Sequence, residues 1–239
     1  EKQEMINFPQ ASSCGTETAV SVPCMFSGMP RKKYDADLAH HQEGLLDVLA
    51  HAGVNLLWRD NDGGCKGACN RIPHTDMTQW KLDQFCKDKS CIDDVNLYRL
   101  NETLDGLKQD TVLVIHLMGS HGPAYYQRYP EQYRKFTPTC DTNQIQDCDH
   151  QALMNTYDNT ILYTDSVVSK TIDALKARQA TMNTALVYLS DHGESLGENG
   201  LYLHGTPYML APSQQTHIPF MFWLSQDYKK NFGVDAQCL

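Results

Sequence analysis

Side chains that can bind a metal follow an apolar run in the segment SDHGESLGENG, residues 190–200. Asp191 and His192 come directly after the run Ala185–Leu189, and His204 follows the glycines of this segment. A carboxylate oxygen combined with imidazole nitrogens suits zinc better than calcium or magnesium. An Asp-His pair alone is more often an exposed turn, so the assignment depends on other ligands nearby.

Two more histidines lie at positions that could join this set. His116 lies near the end of the apolar run 112–117, and His121 lies in the glycine-flanked loop 119–123. The alternative for His116 is a hydrogen-bonded core residue, which is the commoner fate of a histidine in an apolar run. Because all five candidates fall at predicted strand ends, where ligands bind in α/β sheets, we expect them to hold one or two metal ions.

The segment CGTETAVSVPC, residues 14–24, offers a nucleophile. Thr16 and Thr18 precede a stretch that can form a helix, and the free N–H groups of a helix N-terminus favour an anion such as phosphate. Coordination by zinc would lower the pKa of the threonine hydroxyl and make it a nucleophile. The alternative is that Thr16 or Thr18 simply caps the helix.

Other polar residues are less specific. Lys66 lies in a glycine-rich loop after residues 59–62, where it would counter phosphate charge, although a solvated lysine is the ordinary case. We interpret Tyr125, Tyr126 and Tyr129 as packing of a loop. No role is assigned to the remaining histidines, which are His40, His41, His51, His74, His150 and His217.

The elements that must position these residues alternate between strand and helix. Apolar runs predict buried strands at residues 54–58, 112–117, 185–189 and 218–224. Apolar spacing of three or four predicts a helix over 151–178 and a second one, marked by Leu38, Leu45, Val48 and Leu49 and ended by Gly53. This alternation predicts an α/β fold with a largely parallel central sheet sandwiched by helices. We expect one domain, residues 1–239, with an irregular excursion at residues 63–101.

Composition excludes several classes of function. The net charge is −9 and the basic residues are scattered, so the basic stripe of a nucleic-acid-binding protein is missing. The apolar runs are far shorter than the roughly 20 residues that span a bilayer. The N-terminus has no secretory pattern, so we expect any export signal or anchor to lie upstream or to have been removed.

Cysteine spacing indicates an oxidising compartment. Eight of the nine cysteines fall into close pairs, which predict short disulfide-closed loops: Cys14 with Cys24, Cys65 with Cys69, Cys86 with Cys91, and Cys140 with Cys148. The alternative is a zinc ribbon built from the middle four, but neither middle pair has C-x-x-C spacing. Cys238 is left over, which predicts a partner beyond Leu239 and a chain that is a fragment.

Three motifs together resemble one known family. They are the segments at residues 14–24, 116–123 (HLMGSHGP) and 190–200. They are similar to the periplasmic catalytic domain of lipid A phosphoethanolamine transferases, a family that includes the mobile colistin-resistance enzymes. That domain in turn resembles alkaline phosphatases and sulfatases. The likeness runs from about Phe8 to Trp223.

The resemblance implies a role for each matched residue. Thr18 would be the nucleophile and would bind the catalytic zinc together with Asp191 and His192. His121 and His204 would act on the phosphoryl group or bind a second zinc. Lys66 would be the phosphate-side lysine, and His116 would lie nearby and bind substrate.

The sequence also departs from the family pattern. Gly63 stands where many relatives have a serine. The family's zinc-binding glutamate, in a Gly-Glu-Thr motif, has no match, because Glu1 and Glu4 lack that context. The family's membrane helices and last helices are missing too, so we expect a truncated core from the periplasmic part of a Gram-negative inner-membrane protein, acting as a monomer.

The resemblance implies zinc-dependent transfer of phosphoethanolamine from phosphatidylethanolamine to a lipid A phosphate through a covalent Thr18 intermediate, which confers colistin resistance. One alternative is a hydrolase of the same architecture, and another is a transferase with a different glycan acceptor. A sulfatase is disfavoured because residues 14–24 lack the motif Cys/Ser-x-Pro-x-Arg. A third hypothesis is an extracellular binding module with structural histidines. This hypothesis predicts a protein without metal.

Overall fold

The computed structural model describes residues 4–87 and 90–234. Within these residues the strands are β1 (Ile6–Asn7), β2 (Asn55–Asp60), β3 (His74–Asp76), β4 (Cys86–Lys87), β5 (Ser90–Cys91), β6 (Thr111–His116), β7 (Ala185–Leu189), β8 (Ser195–Leu196), β9 (Tyr202–Leu203) and β10 (Phe220–Leu224). The α-helices are α1 (Thr18–Phe26), α2 (Ala36–His41), α3 (Leu45–His51), α4 (Leu100–Asp105), α5 (His150–Lys176), α6 (Ser213–Thr216) and α7 (Gln226–Phe232). Among the described residues, no helix has the length and apolar character needed to cross a membrane.

Two three-stranded sheets form the centre of the fold. One has the order β3-β2-β6 and is parallel, and the other has the order β1-β10-β7 and is antiparallel. The predicted α/β class is confirmed, and the expected parallel direction holds for the first sheet. The second sheet differs, because β10 runs antiparallel to both β1 and β7. The connection from β7 to β10 carries the β8–β9 hairpin and the four-residue helix α6, and no long crossover helix.

Helix α5 confirms the longer of the two predicted helices. Asp149 caps it by accepting from the backbone N–H of Ala152. Its buried face carries both apolar and polar side chains, and Asn159 accepts from the backbone N–H groups of Lys135 and Phe136. The helix therefore fixes the long loop that follows β6.

The second predicted helix is divided into α2 and α3. Gly44 separates them, and its backbone N–H donates to the Asp47 carboxylate at 2.8 Å, which starts a new helix. A Cβ on Gly44 would lie 2.5 Å from the carbonyl oxygen of Phe26, so only glycine fits there. The apolar spacing across this break does not mark one buried helix face, since Leu45 and Val48 are largely exposed.

The main core packs helices α1 and α3 against the parallel sheet. It contains Val22, Leu46, Leu56 and Trp58, all buried. Each such side chain contributes about 1.5–3 kcal/mol through burial of apolar surface. The ring of Phe26, the last residue of α1, lies 5.7 Å from that of Trp58 between centroids, so this packing ties α1 to β2.

All four predicted disulfides are present: Cys14–Cys24, Cys65–Cys69, Cys86–Cys91 and Cys140–Cys148. The zinc-ribbon alternative is wrong because each of its four cysteines is already bonded to another cysteine. The excursion at residues 63–101 is less irregular than predicted, since it contains β3, β4, β5 and part of α4. Cys238 and its predicted partner lie outside the described residues.

Candidate active site

Thr18 is the first residue of α1 and is buried. Its Oγ1 lies 3.3 Å from Nε2 of His192. The capping alternative is not supported, because the N-cap is Glu17, whose side chain makes no capping hydrogen bond, and Thr16 donates to the carbonyl oxygen of Thr206 instead. The Thr18 hydroxyl is therefore available at the positive end of a nine-residue helix.

The loop before Thr18 is closely folded over the start of α1. The backbone N–H of Gly15 donates to Ser21 Oγ at 2.8 Å, and Ser13 Oγ donates to the carbonyl of Gly15 at 2.6 Å. A Cβ on Gly15 would lie 2.8 Å from the side chain of Val20. The Cys14–Cys24 disulfide closes the same loop, so the position of Thr18 is fixed from both sides.

Asp191 and His192 leave the end of β7 and reach Thr18. His192 Nδ1 lies 3.0 Å from the carbonyl oxygen of Gly193, an arrangement that leaves Nε2 as the ligand atom. Asp191 Oδ2 lies 3.7 Å from that Nε2 and is buried without a hydrogen-bond partner. Gly193 is required because a Cβ there would lie 2.0 Å from the carbonyl oxygen of Gln214.

The unpartnered Asp191 oxygen tests whether a metal fits here. A buried carboxylate oxygen with no donor is costly, and a bound cation would satisfy it. Thr18 Oγ1, Asp191 Oδ2 and His192 Nε2 converge, and their oxygen and nitrogen donors form a set that zinc accepts. These residues therefore fit a metal ion.

His204 and His121 border the same centre. The ring centroids of His192 and His204 are 4.5 Å apart, and those of His121 and His204 are 4.8 Å apart. The short hairpin of β8 and β9 pairs Ser195 with Leu203 and so returns His204 to the site. His121 Nδ1 lies 2.7 Å from the carbonyl oxygen of Gly122, which leaves its Nε2 for a ligand.

Sequence reasoning missed Glu194, which orients His204. Its Oε1 lies 2.9 Å from His204 Nδ1, and Tyr125 donates its hydroxyl to Oε2 at 2.9 Å. The backbone N–H of Gly122 donates to Oε1 at 3.3 Å. The hydrogen bond to Glu194, partly opposed by burial, raises the pKa of His204 above its ordinary value. The signal was present in the sequence as an acid two residues after His192.

His192, Glu194 and His204 form a second possible metal-binding group, because one ligand atom from each lies within 4.8 Å of the others. Both Glu194 oxygens already accept hydrogen bonds, whereas Asp191 Oδ2 accepts none. A carboxylate that orients a histidine is a common second layer around a metal. The structure therefore shows Glu194 holding His204 in place, while Asp191 Oδ2 has no hydrogen-bond partner.

His116 is held between two carboxylates. Register pairs it with Asp60 across β2 and β6, and its Nδ1 lies 2.6 Å from Asp60 Oδ1, while its Nε2 lies 3.5 Å from Asp62 Oδ2. Burial lowers the pKa of His116, but the hydrogen bond to Asp60 and the charge of Asp62 outweigh it and raise the pKa. His116 thus lies between two acids, as the core alternative expects, and its contact with substrate stays a prediction.

Asp62, which sequence reasoning also missed, lies beside the predicted site. Burial raises the pKa of its carboxyl, and the charges of His116 and His121 oppose that effect. Lys66 has a positive φ of 50°, and its Nζ donates to the carbonyl of Gly63 in its own loop at 3.3 Å. Glu4 pairs with Lys229 at 3.3 Å on the surface. Glu1 lies outside the described residues.

Comparisons with known proteins show which proteins the chain is similar to. The family model for sulfatases matches residues 1–237. Phosphoethanolamine transferase EptA of Salmonella typhimurium is 59% identical over 238 residues, which is 100% of this chain and 44% of the relative. Phosphatidylethanolamine transferase Mcr-2 of Escherichia coli is 45% identical, over 97% of this chain and 44% of the relative.

A solved structure shows the same fold. The integral membrane protein lipooligosaccharide phosphoethanolamine transferase A from Neisseria meningitidis matches with a TM-score of 0.96 and 50% identity, covering 99% of this chain and 44% of that one. The chain thus spans less than half the length of these relatives. On the match to nearly all of its residues, the chain belongs to the sulfatase family.

Proposed function

We propose that this chain is the catalytic domain of a phosphoethanolamine transferase that uses phosphatidylethanolamine as donor and a lipid A phosphate as acceptor. The observation that carries the proposal is the Thr18 hydroxyl at a helix N-terminus, 3.3 Å from His192 Nε2 and beside the unpartnered Asp191 oxygen. The names of the relatives support the chemistry, since one is called a phosphatidylethanolamine transferase and another a lipooligosaccharide phosphoethanolamine transferase.

Zinc is the cofactor that we propose, one ion and at most two, held by Thr18, Asp191 and His192. A bound zinc supplies Lewis-acid chemistry, lowering the pKa of a coordinated hydroxyl and polarising a phosphoryl oxygen. The donor set supports this choice because it mixes oxygen with imidazole nitrogen. His121 and His204 then contact the phosphoryl group or join a second ion.

The proposed transfer takes place in two steps. Thr18 enters the cycle with its hydroxyl proton already lost to solvent, the form that a bound zinc would favour. In the first step, the Thr18 Oγ1 alkoxide attacks the donor phosphorus, the bond to the glycerol oxygen breaks, and phosphoethanolamine remains on Thr18. In the second, a phosphate oxygen of the acceptor attacks that phosphorus, and Thr18 leaves as the alkoxide that begins the next cycle. The N–H groups at the start of α1 stabilise the charge on the phosphoryl oxygens during both steps.

His204 carries the proton in this scheme. Its raised pKa favours the protonated ring, which donates a proton to the glycerol oxygen as diacylglycerol leaves. The same ring then takes a proton from the acceptor. Glu194 and Tyr125 hold the ring in place, and Lys66 balances phosphate charge from the rim of the site.

A sulfatase-type hydrolase is less well supported. Residues 14–24 lack the motif Cys/Ser-x-Pro-x-Arg, and Cys14 is bonded to Cys24, so it offers no thiol for maturation. The hypothesis of an extracellular binding module leaves the unpartnered Asp191 oxygen unexplained.

We place the domain, residues 1–239, in the periplasm as a monomeric part of an inner-membrane protein. Four disulfides support an oxidising compartment, and a solved relative is described as an integral membrane protein.

A transfer assay tests the proposal. The chain is incubated with zinc, labelled phosphatidylethanolamine and lipid A, and the products are separated. The expected result is labelled lipid A, lost in Thr18→Ala and retained in the matched control Thr16→Ala. Labelled free phosphoethanolamine, formed at the same rate with or without acceptor, would show a hydrolase instead.

A further inference from the structure

The turn that follows His204 displays two apolar side chains to solvent. Met209 is 96% exposed and Leu210 is 75% exposed, the highest values among the large hydrophobic side chains of residues 4–87 and 90–234. Leu210 donates its backbone N–H to the carbonyl of Pro207 at 2.7 Å, which closes the turn. A closed turn holds these two side chains outward in a defined place.

This turn is anchored to the loop that carries Thr18. Thr16 Oγ1 donates to the carbonyl of Thr206 at 2.8 Å, and the backbone N–H of Gly205 donates to the carbonyl of Thr16 at 2.8 Å. Tyr208 donates its hydroxyl to the carbonyl of Ser13 at 3.0 Å. The exposed apolar pair therefore lies at the rim of the proposed active site.

A run of basic residues lies beside the same turn. Arg31–Lys33 is exposed along its whole length, and the guanidinium carbon of Arg31 lies 3.4 Å from the centroid of the Tyr208 ring. Three consecutive cations stand out in a chain with a net charge of −9. The acids that follow them are Asp35 and Asp37, and Asp35 caps α2 by accepting from the backbone N–H of Leu38.

We propose that Arg31–Lys33, Met209 and Leu210, which we call the rim surface, bind an anionic lipid bilayer. Met209 and Leu210 enter the boundary between headgroups and acyl chains, and the cations pair with headgroup phosphates. A protein partner fits less well, because a stable protein interface needs roughly 800 Å² from each side, far more than two protruding side chains supply. The inference goes beyond the proposed transfer, since adsorption to lipid needs no turnover.

Co-sedimentation with vesicles tests this surface. The chain is mixed with vesicles of phosphatidylcholine alone or phosphatidylcholine with phosphatidylglycerol, at low salt and without donor. Binding is expected to the anionic vesicles only and to weaken with salt. The double variant Met209→Ser with Leu210→Ser should bind about tenfold more weakly or worse, from the lost burial of apolar surface.

Two further variants separate electrostatic binding from nonspecific hydrophobic adsorption. Lys32→Gln with Lys33→Gln should weaken binding by about tenfold or more, because each cation near an anionic surface contributes independently. The matched control is Leu45→Ser with Val48→Ser, which removes two exposed apolar side chains from α3 and should leave binding unchanged. Circular dichroism checks that each variant keeps its fold.

Several results would overturn the proposal. These are no binding to anionic vesicles, equal binding to neutral ones, or equal loss in the α3 control. Self-association without lipid that disappears in the Met209 and Leu210 variant would assign the rim surface to a second copy of the chain. Because vesicle binding is read without turnover, an inactive protein that still binds would count against the transferase proposal alone.

Discussion

Replacing Glu194 by glutamine should misplace His204 without removing any proposed metal ligand. The carboxylate holds His204 Nδ1 at 2.9 Å and is itself held by Tyr125 and Gly122. A hydrogen bond to a charged group contributes about 1.5–3 kcal/mol, and loss of such a positioning partner typically costs about 10–100-fold in activity. We expect kcat to fall within that range.

The pH profile of Glu194→Gln gives the more specific readout. Glu194 raises the pKa of His204, so removing its charge moves that pKa down. A proton donor acts only while protonated, so transfer falls as pH rises through its pKa. The alkaline limb of kcat/KM should therefore shift to lower pH in the variant.

Matched variants test whether the change in rate and pH profile arises from the contact between Glu194 and His204. Tyr125→Phe should lower kcat more mildly than Glu194→Gln, because it removes one donor and keeps the carboxylate. Glu198→Gln, on the same loop but bonded to the backbone N–H of Leu196, should leave the profile in place. A Glu194→Gln enzyme with the wild-type rate and alkaline limb would refute the assignment of His204.

Three further predictions concern stability and metal. His116→Gln should lower the free energy of unfolding by about 3 kcal/mol near neutral pH, because it breaks a buried ion pair. Since the folded pKa of His116 is raised, the stabilisation in the wild type is full below the ordinary pKa of about 6.5 and is lost as pH rises through the raised pKa. Urea titrations across this pH window should show that loss in the wild type and not in the variant. Gly193→Ala should lower the melting temperature, because its Cβ would lie 2.0 Å from a carbonyl oxygen, at a cost of about 2 kcal/mol or more. Gly106→Ala is the control, since its Cβ would have a closest contact of 3.3 Å and should change the melting temperature little. Zinc should raise the melting temperature of the wild type and of Glu131→Gln but not of Asp191→Asn, and an equal rise in all three would contradict the ligand assignment.

The chemical motifs were more predictable from sequence than the elements that carry them. Asp191, His192 and Thr18 were found because their residue types and their places at strand or helix ends are local features. The four disulfides followed from close spacing. By contrast, the break at Gly44 depends on the approach of the Phe26 carbonyl, which is a contact between distant residues.

The supporting residues were missed for the same reason. Asp62 and Glu194 are defined by what surrounds them: one lies near His116 and His121, and the other accepts from Tyr125 and Gly122. The place of Glu194 two residues after His192 is a local signal, but it does not show which groups the carboxylate contacts. The antiparallel direction of β10 likewise depends on how a 30-residue connection folds back.

The central claim is that Thr18 becomes covalently modified. Intact mass measured after incubation with zinc and a short-chain phosphatidylethanolamine, followed by peptide mapping, tests it directly. One phosphoethanolamine adduct is expected on Thr18, formed in Thr16→Ala and absent in Thr18→Ala. An adduct on another residue, or transfer to lipid A by Thr18→Ala, would contradict it.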